Sequence, residues 1–144
     1  MPPTRSDAQE TLSFGTRGRG LHEITSEVVD VVRRSGIQLG LCVVYCRHTS
    51  ASLLIQENAD PTAARDAEAW FDRLAPDGDP RYSHDMEGPD DMPAHLRSAV
   101  TSTSETIPIG GGKLALGTWQ GLFLFEHRTR PQRRELIVHV QGTA

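Results

Sequence analysis

Six histidines are the side chains in this sequence best suited to chemistry: His22, His48, His84, His95, His127 and His139. None sits in a local zinc motif, since the chain has neither HExxH nor a CxxC pair. Any site they form must be assembled from separate elements. His48 follows the apolar run LGLCVVYC, His84 opens the acidic stretch HDMEGPDDMPAHL, and His95 lies near its end, at the start of a helical pattern. Strand ends and helix starts can converge on one point, and three neutral imidazoles plus a water form a common open zinc site. Nearby carboxylates can orient such rings from behind. The alternative leaves His84 in solvent, packs His95 on its helix and bonds His48 to backbone.

The acids divide by duty. Asp90 or Asp91 is placed to cap the helix that begins at Met92 and Pro93. Glu87 has no such duty and is therefore the better candidate for a general base beside a metal-bound water. Glu126, at the end of the apolar run GLFLFE and next to His127, is the second candidate. Its alternative is an ion pair with Arg128 or another arginine. The segment HRTRPQRRE brings Arg128, Arg130, Arg133 and Arg134 close together, and arginine forks hold phosphate or simply decorate a charged hairpin. Thr49, Ser50 and Ser52 follow His48 and can donate to a phosphate or end a strand. Trp119 and Gln120 offer an aromatic face and an amide to a planar ring, unless the tryptophan is core.

Elements must position these groups. TLSF reads as a strand, and GTRGRG after it as a basic turn, because no apolar strand–helix frame makes it a phosphate loop. A helix follows, capped by Thr25 or Ser26, striped by Ile24, Val28, Val29 and Val32, and ended by Gly36. LGLCVVYC and ASLLIQE read as strands joined at HTS. Asp60 and Pro61 start a second helix, with Ala64, Ala67, Phe71 and Leu74 on one face. The third helix spans MPAHLRSAVTS. TIPI, KLALGTW, GLFLFEH and ELIVHV then read as four strands, with GGGK a hairpin turn that lacks the spacing of a P-loop. Helices and strands do not alternate, so the pattern predicts an α+β fold with largely antiparallel sheets and outside helices. GLFLFE is apolar on both faces and needs cover on both.

The chain has 144 residues, 37% hydrophobic and 6% aromatic, which suits one domain: a flexible start over 1–8 and a single unit over 9–144. No apolar run is long enough to span a membrane and the start has no apolar signal segment, so a cytoplasmic location is expected. Cys42 and Cys46 lie four strand residues apart, about 13 Å, too far for a disulfide, and are expected reduced. Net charge is −4, which argues against nucleic acid. Eleven acids against three arginines make Glu57 to Asp91 strongly acidic, while four arginines against one acid make the segment from Arg128 onward basic.

HTSASLLIQENADP, HDMEGPDDMPAHL and GKLALGTWQGLFLFEHR, in this order, resemble the YjbQ family, also called secondary thiamine-phosphate synthases. The resemblance spans about residues 8–143. It implies two packed β-sheets with flanking helices, a homotrimer, and sites near subunit interfaces. It also implies a metal, zinc by ligand type, on His48, His84 and His95; Glu87 and Glu126 remain the candidate catalytic acids read from the residues. Thr49, Ser50, Asn58, Trp119, Gln120 and Arg128 are the candidate substrate-binding residues. The associated activity joins a hydroxymethylpyrimidine diphosphate to a thiazole phosphate. A three-histidine site is zinc-like, whereas diphosphate chemistry usually recruits oxygen-ligated Mg²⁺. A metal-dependent hydrolase or a non-catalytic trimeric metal- or metabolite-binding protein therefore stands beside the synthase.

Overall fold

A computed structural model describes residues 2–144. Eight strands and three helices run in the order β1 (Arg5–Gly15), β2 (Gly20–Glu23), α1 (Thr25–Ser35), β3 (Leu39–Cys46), β4 (Ala51–Glu57), α2 (Pro61–Leu74), α3 (Asp91–Ala99), β5 (Ser104–Gly110), β6 (Lys113–Leu114), β7 (Gln120–Glu126) and β8 (Arg133–Thr143). They form a five-stranded sheet, β1-β8-β3-β5-β6, and a three-stranded sheet, β2-β7-β4. Every pairing is antiparallel. This is the expected α+β fold of two antiparallel sheets with flanking helices. No described helix is long and apolar enough to cross a membrane.

The core lies between the sheets and α1. Alternate residues of β3 and β8 (Cys42, Val44, Leu136, Val138, Val140) meet Leu53 of β4, Leu122 and Leu124 of β7, and Val28, Val31 and Val32 of α1. Both cysteines are buried and free, and burial raises both thiols, Cys42 to about 11. From Gly121 to Glu126, β7 is buried on both faces. Leu122 and Leu124 enter the core, and Phe125 meets Phe71 of α2 edge-to-face at 5.1 Å on the other side.

Several local expectations shift. α1 has Ile24 at its N-cap and no side-chain cap; Thr25 Oγ1 instead donates to Glu23 and accepts the Leu122 N–H, tying the helix to β7. Gly36 ends α1 in the left-handed region, and Asp60 and Pro61 start α2 as the sequence suggests, with Asp60 accepting the Thr62 N–H. Leu74 is exposed, and Phe71 is the buried residue of the expected α2 face. β1 reaches back to Arg5, opposite Thr143, because β8 supplies a ladder for its whole length. β2 has no strand-like expectation behind it, and only Lys113–Leu114 of KLALGTW is strand. β3 is central in its sheet, yet its outer face shows Leu39, Leu41 and Tyr45 to solvent.

Candidate metal centre at the start of the third helix

α3 places Asp91 and His95 one turn apart on the same side, and the loop before it folds His84 onto them. His84 Nε2 lies 2.7 Å from Asp91 Oδ2, and His95 Nε2 lies 3.3 Å from the same oxygen. The two rings are 5.2 Å apart. Asp91 is buried while His84 is half exposed, so the group opens to solvent on the His84 side. Among the described residues it is the one cluster of at least three His, Cys, Asp or Glu whose ligand atoms lie within 4.8 Å of one another.

His95 is held on both ring nitrogens. Its Nδ1 lies 3.2 Å from the Thr49 carbonyl, which can only accept, so Nδ1 carries the hydrogen. In the neutral ring Nε2 is then a lone pair facing a carboxylate oxygen. Only a proton or a cation between Nε2 and Oδ2 makes that approach favourable.

Arg128 holds the acid from behind. Its Nη1 donates to Asp91 Oδ1 at 2.8 Å, its Nε to Asp90 Oδ2 at 3.1 Å, and its Nη2 to the Glu87 carbonyl at 2.9 Å. All three guanidinium nitrogens are engaged within the chain. Asp90 also accepts from Thr129 N and Oγ1. Burial alone would raise its carboxyl, but the Thr129 and Arg128 bonds outweigh it and hold it at about 2. Asp90 occupies the α3 N-cap position without making a side-chain cap, because Arg128 and Thr129 take its oxygens.

The remaining expected site residues fall into three places. His48 is outside the cluster: its Nε2 accepts the Glu135 N–H at 2.8 Å, the backbone bond given above as its alternative. Burial first, then Arg134, lowers its pKa. It lines a separate depression with Tyr45, Arg47, Thr49 and Thr103. Glu126 is fully buried and accepts from Arg134, Thr16 Oγ1 and the Arg128 N–H, so its ion pair is with Arg134. Ser50 Oγ accepts from the same arginine. Glu87 is exposed, and only its backbone carbonyl is tied to the cluster's support, accepting from Arg128.

Asn58, Trp119 and Gln120 gather elsewhere. Asn58 N–H donates to the Trp119 carbonyl and its amide to Glu23, while Gln120 Oε1 accepts the Gly117 N–H. Trp119 is 64% exposed. Gln120 and Glu126 are the two ends of β7, six residues or roughly 20 Å apart. Within one chain these residues and Arg128 cannot touch one small ligand.

Sequence reasoning missed Asp91 as a cluster member by giving it a capping duty; its i,i+4 spacing to His95 was the available signal. It also gave His127 no role. That ring is fully buried, with Nε2 2.8 Å from Ser52 Oγ, and Ser52 lies 2.5 Å from Thr101 Oγ1. Burial first, then Arg97, lowers its pKa to about 3.

An antiparallel two-sheet α+β domain with a His–Asp–His group at a helix start defines the class, and comparison defines the family. Residues 10–143 match the family described as UPF0047 protein YjbQ-like, and the chain belongs to that family. It is 58% identical to the UPF0047 protein sll1880 of Synechocystis over 93% of this chain and 91% of that protein. Identity to the UPF0047 protein YjbQ of Escherichia coli O157:H7 is 41%, over 93% and 97% of the two chains. A solved YjbQ/UPF0047 protein from Clostridium acetobutylicum superposes with a TM-score of 0.80 at 36% identity, covering 92% of this chain and 98% of that one. A YbjQ-like protein of unknown function from Sulfolobus solfataricus P2 shares the fold, with a TM-score of 0.88 at 24% identity over 96% and 99% of the chains.

Proposed function

We propose that this YjbQ-family chain is a metal-binding protein whose centre is His84, Asp91 and His95, with zinc as the resident ion. The observation that carries it is the convergence of His84, Asp91 and His95, whose ligand atoms all lie within 4.8 Å of one another. Two imidazoles and a carboxylate form a donor set for zinc or a neighbouring first-row ion. A bound ion there supplies Lewis acidity and an acidified water to a small substrate. Arg128 fixes the carboxylate, the Thr49 carbonyl fixes the His95 tautomer, and exposed Glu87 is the acid free to handle a proton nearby. Metal analysis of protein purified without added chelator tests the reading. Wild type should carry about one ion per chain; His84→Ala, His95→Ala and Asp91→Ala should lose it. Equal metal content in all four proteins sinks the centre, and loss in His48→Ala would bring that ring back into the ligand set.

Thiamine-phosphate synthesis is the second reading. Exposed Trp119, flanked by Asn58 and Gln120, favours it as a platform for a planar ring. Arg128 weighs against it, because its donors are already committed to Asp90, Asp91 and Glu87. Incubation with both precursors, with and without chelator, decides; product no greater than that of a His95→Ala control removes the synthase reading.

Self-association accompanies either reading. Leu41 and Tyr45 on the outer face of β3, with Ile137 opposite Tyr45, give the five-stranded sheet an uncovered apolar strip that fits a second copy of the chain in a homotrimer. Sedimentation of wild type against Leu41→Glu tests it, and a monomeric wild type ends it.

A further inference from the structure

A cleft of about 540 Å³ lies between α1 and the β5–β6 hairpin, and no residue of the His–Asp–His centre lines it. Its apolar surface is Val29, Val32, Ile37, Leu114 and Leu116. α1 creates part of it by carrying a stripe wider than the core can cover: Val28, Val31 and Val32 are buried, and Val29 is left at the surface. The Gly111-Gly112 turn forms the opposite wall. Gly112 adopts a φ of 74°, its N–H donates to the Gln38 carbonyl at 2.9 Å, and an added Cβ would meet the Gln38 side chain at 3.0 Å. The left-handed φ favours glycine, and the Gly112–Gln38 bond ties the hairpin to the segment after α1.

The rim is cationic. Arg33 and Lys113 line the cleft and no carboxylate does. Arg33 shares one bond with exposed Asp30. Lys113 enters none of the ion pairs among the described residues. The GGGK turn, which is no phosphate loop by its spacing, thus delivers a free ammonium to the mouth of an apolar recess.

We propose that this cleft binds a small amphipathic anion, with its apolar part against Val29, Ile37, Leu114 and Leu116 and its carboxylate or phosphate head at Lys113 and Arg33. The volume is within the roughly 300–1,000 Å³ of small-molecule sites. A cationic head would find no acid among the lining residues. The site is independent of the metal reading.

The test uses the full chain, labelled for NMR and titrated below micelle-forming concentration with decanoate, decyl phosphate and decyltrimethylammonium. Both anions should bind saturably and shift the amides of Val29, Ile37, Gly112 and Leu114. Their relative affinity identifies the head group. The cation should bind more weakly, by about 5-fold where one surface charge pair contributes its full ~1 kcal/mol. Lys113→Glu should weaken both anions by about the same factor, and Val29→Trp should abolish binding by filling the cleft. Leu116→Trp is a second plug should the helix variant not fold. His95→Ala should leave anion binding unchanged. The proposal is overturned by no saturable binding, by equal affinity for the cation, by shifts centred elsewhere, or by undiminished binding in a folded plug variant.

Discussion

Replacing Arg128 with methionine isolates the support behind the metal centre. The substitution keeps an apolar stem of similar length and removes the guanidinium that holds Asp91 Oδ1 at 2.8 Å. Asp91 is 3% exposed, so no bulk water replaces that bond. Loss of a hydrogen-bonded group behind a metal ligand costs roughly 10–100-fold in affinity, or about 1.4–2.7 kcal/mol. Arg128→Lys restores the charge without the fork that spans Asp90, Asp91 and the Glu87 carbonyl, and should fall between. Asp91→Asn, which removes the ligand charge itself, should lose more than either. Competition against a chromophoric zinc chelator at neutral pH gives the affinities, and thermal melts of the same samples show that each variant is folded. Unchanged zinc affinity in a folded Arg128→Met protein refutes the positioning role. Unchanged affinity in Asp91→Asn as well refutes the centre.

Three further outcomes are expected. The His127 ring is held near pKa 3 by burial and then by Arg97, so the unfolded chain takes up a proton near pH 6.5 that the folded chain refuses. Stability contributed there is lost as pH falls from about 6.5 towards 3, amounting to about 2–3 kcal/mol by pH 4.5; denaturant midpoints of wild type and His127→Phe should converge in that window, and parallel curves would contradict it. Arg97 is buried with Nε and Nη1 unpartnered and only Nη2 bonded, to Asp72 and the Ala75 carbonyl. Arg97→Met should therefore cost less than about 1 kcal/mol or stabilise, while a fall in Tm beyond that range would show that the guanidinium is needed. Glu126→Gln leaves Arg134 charged and uncompensated in the interior, and should destabilise by roughly 3–5 kcal/mol, read from urea unfolding; a loss under about 1 kcal/mol would mean the pair is effectively solvated.

The legible parts of this molecule were those set by local rules. Pro61 after Asp60 and Gly36 after the valine stripe mark helix ends because capping is a neighbour-to-neighbour matter. GLFLFE declared its double burial through composition alone. His84 and His95 could be paired because both lie in one short segment. His48 could not be placed, because its partner is the Glu135 backbone N–H on another strand, and no spacing rule spans that distance. Asp91 was hidden by ambiguity: aspartate at a helix start serves a cap or a ligand, and the sequence does not show that Arg128, nearly forty residues away, claims Asp90 and frees Asp91 to face the rings. β2 escaped notice because four residues of mixed polarity carry no alternation; β7 makes it a strand.

The position of β8 sets an order of assembly. It lies between β1 and β3 and, among the described residues, is the strand that links them. The β3–β5 and β4–β7 ladders do not involve β8. β1 must wait, with its ladder groups unpaired, for a strand more than a hundred residues later. Pairings this distant in sequence slow folding and leave strand edges open to other chains meanwhile. The Glu126–Arg134 pair and the His48–Glu135 bond both depend on β8. The region between the sheets therefore becomes fixed last, in the same step that gives the first strand its partner.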